Sequence, residues 1–170
     1  MKHRLFSLLA LCAASGALAQ SAPATPAPPA PPARGPALAL ALEAARGAID
    51  TCSARQQNVS VSVIDSAGVL KLLLAADGAH ARGVASSTSK AQTALAFNSA
   101  TSALGERVKT DTALAARVAA NPAFNVRGGG LAISVDGVVI GAIGVGGARG
   151  SEVDEACAQA GLAQVQGRLR

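Results

Sequence analysis

The sequence predicts an α+β domain whose antiparallel sheet of four or five strands carries helices at both ends of the chain and a helical insertion between two hairpins. Three observations carry that reading. "NVSVSVID" alternates Val59, Val61 and Val63 with Ser60 and Ser62, the period of a strand. Asp136-Gly137 sits between two apolar runs, "LAISV" and "VVIGAIGV", a strong short-range hairpin signal. Apolar residues at helical spacing open and close the same region.

Taken in order, Leu38, Leu42, Ala45, Ile49 and Cys52 recur at steps of four and three and predict a first helix with that stripe buried. The serine–valine strand follows, then a turn at Ser66–Gly68 and a second strand, "VLKLLLA" (Val69–Ala75). "ADGAHARG" reads as a loop. Gly83–Phe97 reads as a helix of small side chains able to lie close to a sheet. A further helical stretch, Ser99–Ala120, is expected to break near Gly105 and to stop at Asn121-Pro122. After the second hairpin, Ser151–Leu169 is expected to form the last helix. Its buried stripe is Ala158, Leu162, Val165 and Leu169, with Asp154 and Glu155 near its start as the helix dipole favours. Hairpins make antiparallel pairs, and apolar helical stripes need a sheet face to cover. The layout resembles a profilin-like or roadblock-like sandwich.

Residues 1–19 lie outside this fold. Lys2, His3 and Arg4 precede the apolar run Leu5–Leu11, and "ALA" at Ala17–Ala19 offers small residues for cleavage, the pattern of an export signal cut after Ala19. The apolar run is too short to span a bilayer. A periplasmic or secreted location is therefore expected. Residues 20–36, with their repeated Pro and Ala, read as an extended hydrated linker, which leaves 37–170 as one domain of ordinary size.

Composition narrows the functions. Without Lys2 and Arg4, the 15 basic residues set against 10 acidic ones leave a net charge of about +3, thinly scattered. With aromatics at 2% of the chain there is neither a dense phosphate-neutralising patch nor a stacking platform, which argues against nucleic-acid binding. In "GAIGVGGARG" the glycine spacing counted from Gly144 falls on Arg149, and the run ends a hairpin rather than opening a helix. Its glycines are therefore read as allowing close backbone packing, not as a dinucleotide loop. Past residue 19 the only histidine is His80, in a loop with no nucleophile elbow, so neither a hydrolase triad nor a metal-hydrolysis centre is supported. Cys52 and Cys157 are the cysteines left after cleavage; a bridge between them requires adjacent helices, and two separate buried thiols are the alternative.

"GAIGVGGARGSEVDEACAQAGLAQV" resembles the GlcG/HbpS-like haem-binding family, also found as the C-terminal domain of PduO-type proteins. The family shows a glycine-rich strand end, a loop, "DE", and an alanine-rich helix. Here these are Gly141–Ala148, Asp154-Glu155 and Ala158–Gly161. Asp65 and Gly68 match its first hairpin turn, and Lys90, Ala91, Thr93 and Ala94 in "SKAQTALAF" match its "KA-x-TA" helix. "RGGGLAI" resembles its "GGVPI" loop, with Leu131-Ala132 replacing the proline step. The resemblance spans most of residues 38–167. It implies a profilin-like fold, homo-oligomers and, in some members, haem or related tetrapyrroles, sometimes beside a membrane sensor.

On that resemblance, Lys90 and Thr93 are expected to face a ligand groove, Lys90 toward a propionate and Thr93 offering an oxygen. The alternative is a lysine that snorkels to solvent or pairs with an acid, and a threonine bonded to its own helix. Past residue 19 the chain has no Met, Tyr or Trp and no C-x-x-C-H, so His80 is the candidate iron ligand, with Arg82 near enough in sequence to meet a propionate. Only Phe97 and Phe124 are available as aromatic walls. The expected function is an exported haem- or tetrapyrrole-binding protein without catalytic chemistry of its own. A ligand-free interaction module and a haem-degradation accessory are the other readings.

Overall fold

The computed structural model describes residues 32–170. The expected signal peptide and most of the expected linker fall outside the described residues. The linker's last residues do not stand free of the domain. Arg34 and Ser66 exchange two hydrogen bonds, and Pro36 is buried.

In chain order the elements are α1 (Leu38–Ser53), β1 (Ser60–Asp65), β2 (Leu70–Ala75), α2 (Ala81–Phe97), α3 (Thr101–Arg107), α4 (Thr112–Ala119), β3 (Gly130–Val135), β4 (Val138–Gly146) and α5 (Ser151–Ala163). A short 3-10 turn, Gln166–Arg168, follows. The four strands form one antiparallel sheet in the order β2-β1-β4-β3. This is the α+β layout expected, with four strands and with three helices between the hairpins. Asp136 and Gly137 turn β3 into β4 with φ of 50° and 78°, the pair of left-handed residues that a two-residue hairpin turn requires.

β1 and β4 are central, and both faces of each are covered. One face presents Val59, Val61, Val63, Ile143 and Val145 to α1 and α5. On the other, Ser60, Ser62, Ala142 and Gly144 lie under α2. The serine side of β1 is thus as buried as its valine side.

Three expectations about helices are corrected. In α1 the buried residues are Ala41, Ala44, Ala45, Gly47, Ala48 and Cys52, while Leu38 and Leu42 are exposed. The helix has turned its small side chains inward because α5 lies against it and presents Ala158 and Gly161. Close helix packing selects Ala and Gly over Leu at such a contact. The second correction concerns the break. Gly105 lies within α3, and the chain leaves the helix at Val108–Asp111 instead, where the Asp111 side chain caps α4 through the Leu114 amide. Gly105 serves packing: the Val126 carbonyl lies where a side chain would begin. The final helix also stops short of its expected end, at Ala163, yet Val165 and Leu169 stay buried in the main core.

Cys52 of α1 and Cys157 of α5 are neighbours, with Cα atoms 5.7 Å apart and their sulfurs at bonding distance.

Candidate functional site

The glycines of β4 set the position of α2. A Cβ at Gly144 would strike the Ser87 carbonyl and one at Gly146 the Ser87 amide, so only glycine lets the helix lie this close to the strand. At that distance Ser62 bonds Ser87 (2.8 Å) and Thr88 (2.9 Å) across the contact. Close packing is the role the sequence assigned to this glycine run.

The same closeness carries Lys90 over the end of β4. Its ammonium donates to Asp154 Oδ2 of α5 (2.6 Å) and to the Val145 carbonyl (3.0 Å), with the residue 2% exposed. Asp154 Oδ1 accepts from the Ala148 amide (3.0 Å), so the carboxylate also fixes the loop leaving β4. Gly129, at φ 124°, closes the arrangement; a Cβ there would lie 2.9 Å from the Lys90 ammonium. Burial pushes Lys90 below the ordinary lysine range and Asp154 above the ordinary carboxylate range, and the contact between them opposes both shifts. Lys90 therefore pairs with an acid, the alternative left open for it by the sequence.

Lys90 and Asp154 form the floor of a cleft of about 460 Å³. His80, Arg82 and Ser86 line it from the first turns of α2, Asn125 and Arg127 from the segment before β3, and Arg149 and Ser151 from the start of α5. His80 stands at the N-cap of α2 and is exposed, as are all three arginines. Three of the expected site residues, His80, Arg82 and Lys90, are brought to one cleft.

Thr93 is not among the cleft's lining residues. Its hydroxyl donates to the Ser89 carbonyl (2.7 Å) and accepts from the Asn125 amide (2.8 Å), so it ties the pre-β3 segment to α2. Asn125 in turn donates to Ser86 (3.3 Å), and through it Thr93 shapes the cleft wall from behind. The aromatic walls are also elsewhere. Phe97 and Phe124 pack edge to face at 5.2 Å with Arg117 over Phe97, away from the cleft lining.

Sequence reasoning missed Arg127, Arg149, Asn125 and the role of Asp154. The signal present was position: Arg127 directly precedes "GGG", Arg149 follows "GG", and Asp154 opens the "DE" pair.

A family model described as "Haem degrading protein HbpS-like" matches residues 37–163. Among solved structures, the crystal structure of HbpS is 32% identical and superposes with a TM-score of 0.69, covering 91% of this chain and 99% of that one. A PduOC:heme complex is 26% identical at a TM-score of 0.69, covering 75% and 92%. The Klebsiella pneumoniae protein ORFY, of the family called DUF336, is 25% identical at a TM-score of 0.73, covering 86% and 100%. No curated protein sequence matches this chain.

Proposed function

The chain belongs to the HbpS-like family, and we propose that it binds haem or a related tetrapyrrole in the cleft between the starts of α2 and α5, without catalytic chemistry of its own. The observation carrying this reading is the charge pattern of that cleft. Arg82, Arg127 and Arg149 surround it with His80, and its one lining carboxylate, Asp154, is already bound by Lys90. Such a donor set fits a planar ligand with carboxylates along one edge, because guanidinium groups pair carboxylates in fork geometry. Arg82 and Arg127 would hold the propionates, and His80, at the lip, would serve as the ligand to the iron. When bound, haem supplies an iron centre able to change redox state. The Lys90–Asp154 pair holds the floor in place.

The N-terminal pattern supports export, and the family resemblance supports the wider role. Export to the periplasm or beyond, a disulfide between Cys52 and Cys157, and a place in iron or redox sensing as a homo-oligomer beside a membrane sensor form one consistent reading. The buried, adjacent cysteines support the disulfide part of it.

Titrating hemin into the protein and into His80→Ala and Arg82→Ala/Arg127→Ala tests the site. Wild type should give a shifted Soret band. His80→Ala should alter that band, and the double arginine variant should weaken binding about tenfold or more. An unchanged band in His80→Ala removes the ligand role from His80. Bleaching of bound hemin with release of iron, in the presence of a reductant, would replace the non-catalytic reading with the degradation named in the family's description.

A further inference from the structure

The floor and the rim of the cleft differ in charge. At the floor Lys90 and Asp154 cancel. At the rim stand Arg82, Arg127 and Arg149, and among the lining residues no carboxylate other than Asp154 offsets them. Glu152 and Glu155 line a neighbouring depression instead. Two helices also begin at this rim. α2, of 17 residues, contributes Arg82 and Gly83 from its first turn; α5, of 13 residues, contributes Ser151. α2 has no acidic residue in its first turn, so the positive end of its dipole adds to the field of the three guanidinium groups, whereas Glu152 and Asp154 in the first turn of α5 offset the dipole there.

The walls tell the other half. Apart from His80 at the lip they are built from Gly, Ala, Ser, Asn and Arg, with no Phe, Tyr or Trp to stack on a macrocycle. Binding strength in this cleft must then come from the ligand's anionic edge more than from its flat apolar faces. A ligand with two carboxylates leaves at least one of the three guanidinium groups without a partner, even when each carboxylate takes its own arginine.

We infer that the cleft selects among tetrapyrroles by the number of their carboxylates, and that a tetracarboxylate ring is a better ligand than a dicarboxylate one such as haem. This rests on the tetrapyrrole-binding reading above. The experiment uses two metal-free rings, so that iron ligation plays no part: coproporphyrin, with four carboxylates, and deuteroporphyrin, with two. Each is titrated into the full chain by absorbance and fluorescence at low and high salt.

Coproporphyrin should bind about tenfold more tightly at low salt, and the preference should shrink at high salt as screening weakens exposed ion pairs. Arg149→Gln should weaken coproporphyrin binding more than deuteroporphyrin binding. Equal affinities at low salt, or a preference that survives Arg149→Gln at full size, would overturn the inference while leaving tetrapyrrole binding intact. Failure of both rings and of hemin to bind would overturn the binding reading itself, and this inference with it.

Discussion

The two faces of the sheet are made by the same two central strands and are built on opposite principles. Toward α1 and α5, β1 and β4 present Val61, Val63, Ile143 and Val145, with Val59 just ahead of β1, all fully buried. Each such side chain contributes about 1.5–3 kcal/mol by leaving water. Toward α2 the same strands present Ser60, Ser62, Ala142 and Gly144, with Ile64 as the one large apolar side chain; the small residues bury little apolar area but let a helix come close. The difference teaches where stability and site come from. The valine face holds the domain together. The glycine–serine face trades apolar contact for proximity, and that proximity lets a lysine of α2 reach past β4 to an aspartate of α5. The cleft is a by-product of the thin face.

The largest effect should come from removing one half of that contact. Lys90→Met leaves Asp154 buried and without its cation, which should lower stability by about 3–5 kcal/mol. Lys90→Met/Asp154→Leu should regain much of that loss, because an apolar pair does not strand a charge. The loss in Lys90→Met should also depend on pH. Burial already holds the Asp154 pKa above its ordinary value, and without Lys90 only the Ala148 amide and the charge of Arg127 oppose that shift. A raised folded-state carboxylate pKa penalises the fold above that pKa and is relieved as pH falls through it toward the unfolded value. Lys90→Met should therefore be closer to wild type at about pH 5 than at about pH 7 in urea unfolding. A single variant as stable as the double at both pH values would show that the pair does not organise this face.

Next in size is the link on the opposite face. Cys52 and Cys157 are 105 residues apart in sequence, and a bridge closing so long a loop should contribute about 2–4 kcal/mol. Reductant should lower the melting temperature of wild type and leave Cys52→Ala/Cys157→Ala unmoved, and the oxidised protein should be about 2 Da lighter than the reduced one. The cleft draws no wall from this pair of cysteines, so hemin affinity measured well below the melting point should change less than about twofold. An equally large loss of binding would mean that the two faces are not independent.

How much of this was legible in the sequence divides along the same line. The hairpin at Asp136-Gly137, the valine strand and the order of helix, hairpin, helices, hairpin and helix were readable because turn chemistry and large apolar residues leave local signals. The inward face of α1 was not, because periodicity weighs Leu38 and Leu42 above alanines. A helix pressed against another helix buries the alanines instead. The close packing of α2 was legible in its Ala, Ser and Thr content and in the glycines of β4. Of the site, His80, Arg82 and Lys90 were within reach, since a rare histidine and a resemblance pointed at them. Arg127 and Arg149 were not. They meet only because two loops distant in sequence fold to the same end of the sheet, a juxtaposition with no local signature. Thr93 carried a family pattern, yet its hydroxyl is fully used by Ser89 and Asn125, and nothing in a single sequence distinguishes a ligand contact from a loop tether.

The smallest expected effects test the thin face directly, through two serines of one strand. Ser62 lies within hydrogen-bond distance of Ser87 and Thr88, and each of those hydroxyls can instead donate to the Val84 carbonyl. Ser62→Ala should therefore cost about 1 kcal/mol, the net value of a buried hydrogen bond whose partners keep others. Ser60 is equally buried, but its hydroxyl has no partner among the described residues. An unsatisfied buried hydroxyl is destabilising, so Ser60→Ala should be neutral or raise stability by up to about 1 kcal/mol. Urea unfolding should show a loss in Ser62→Ala and none in Ser60→Ala if α2 seals this face by proximity alone. A loss of 1 kcal/mol or more in Ser60→Ala would mean that Ser60 is satisfied by solvent reaching under the helix, and that the thin face is not dry.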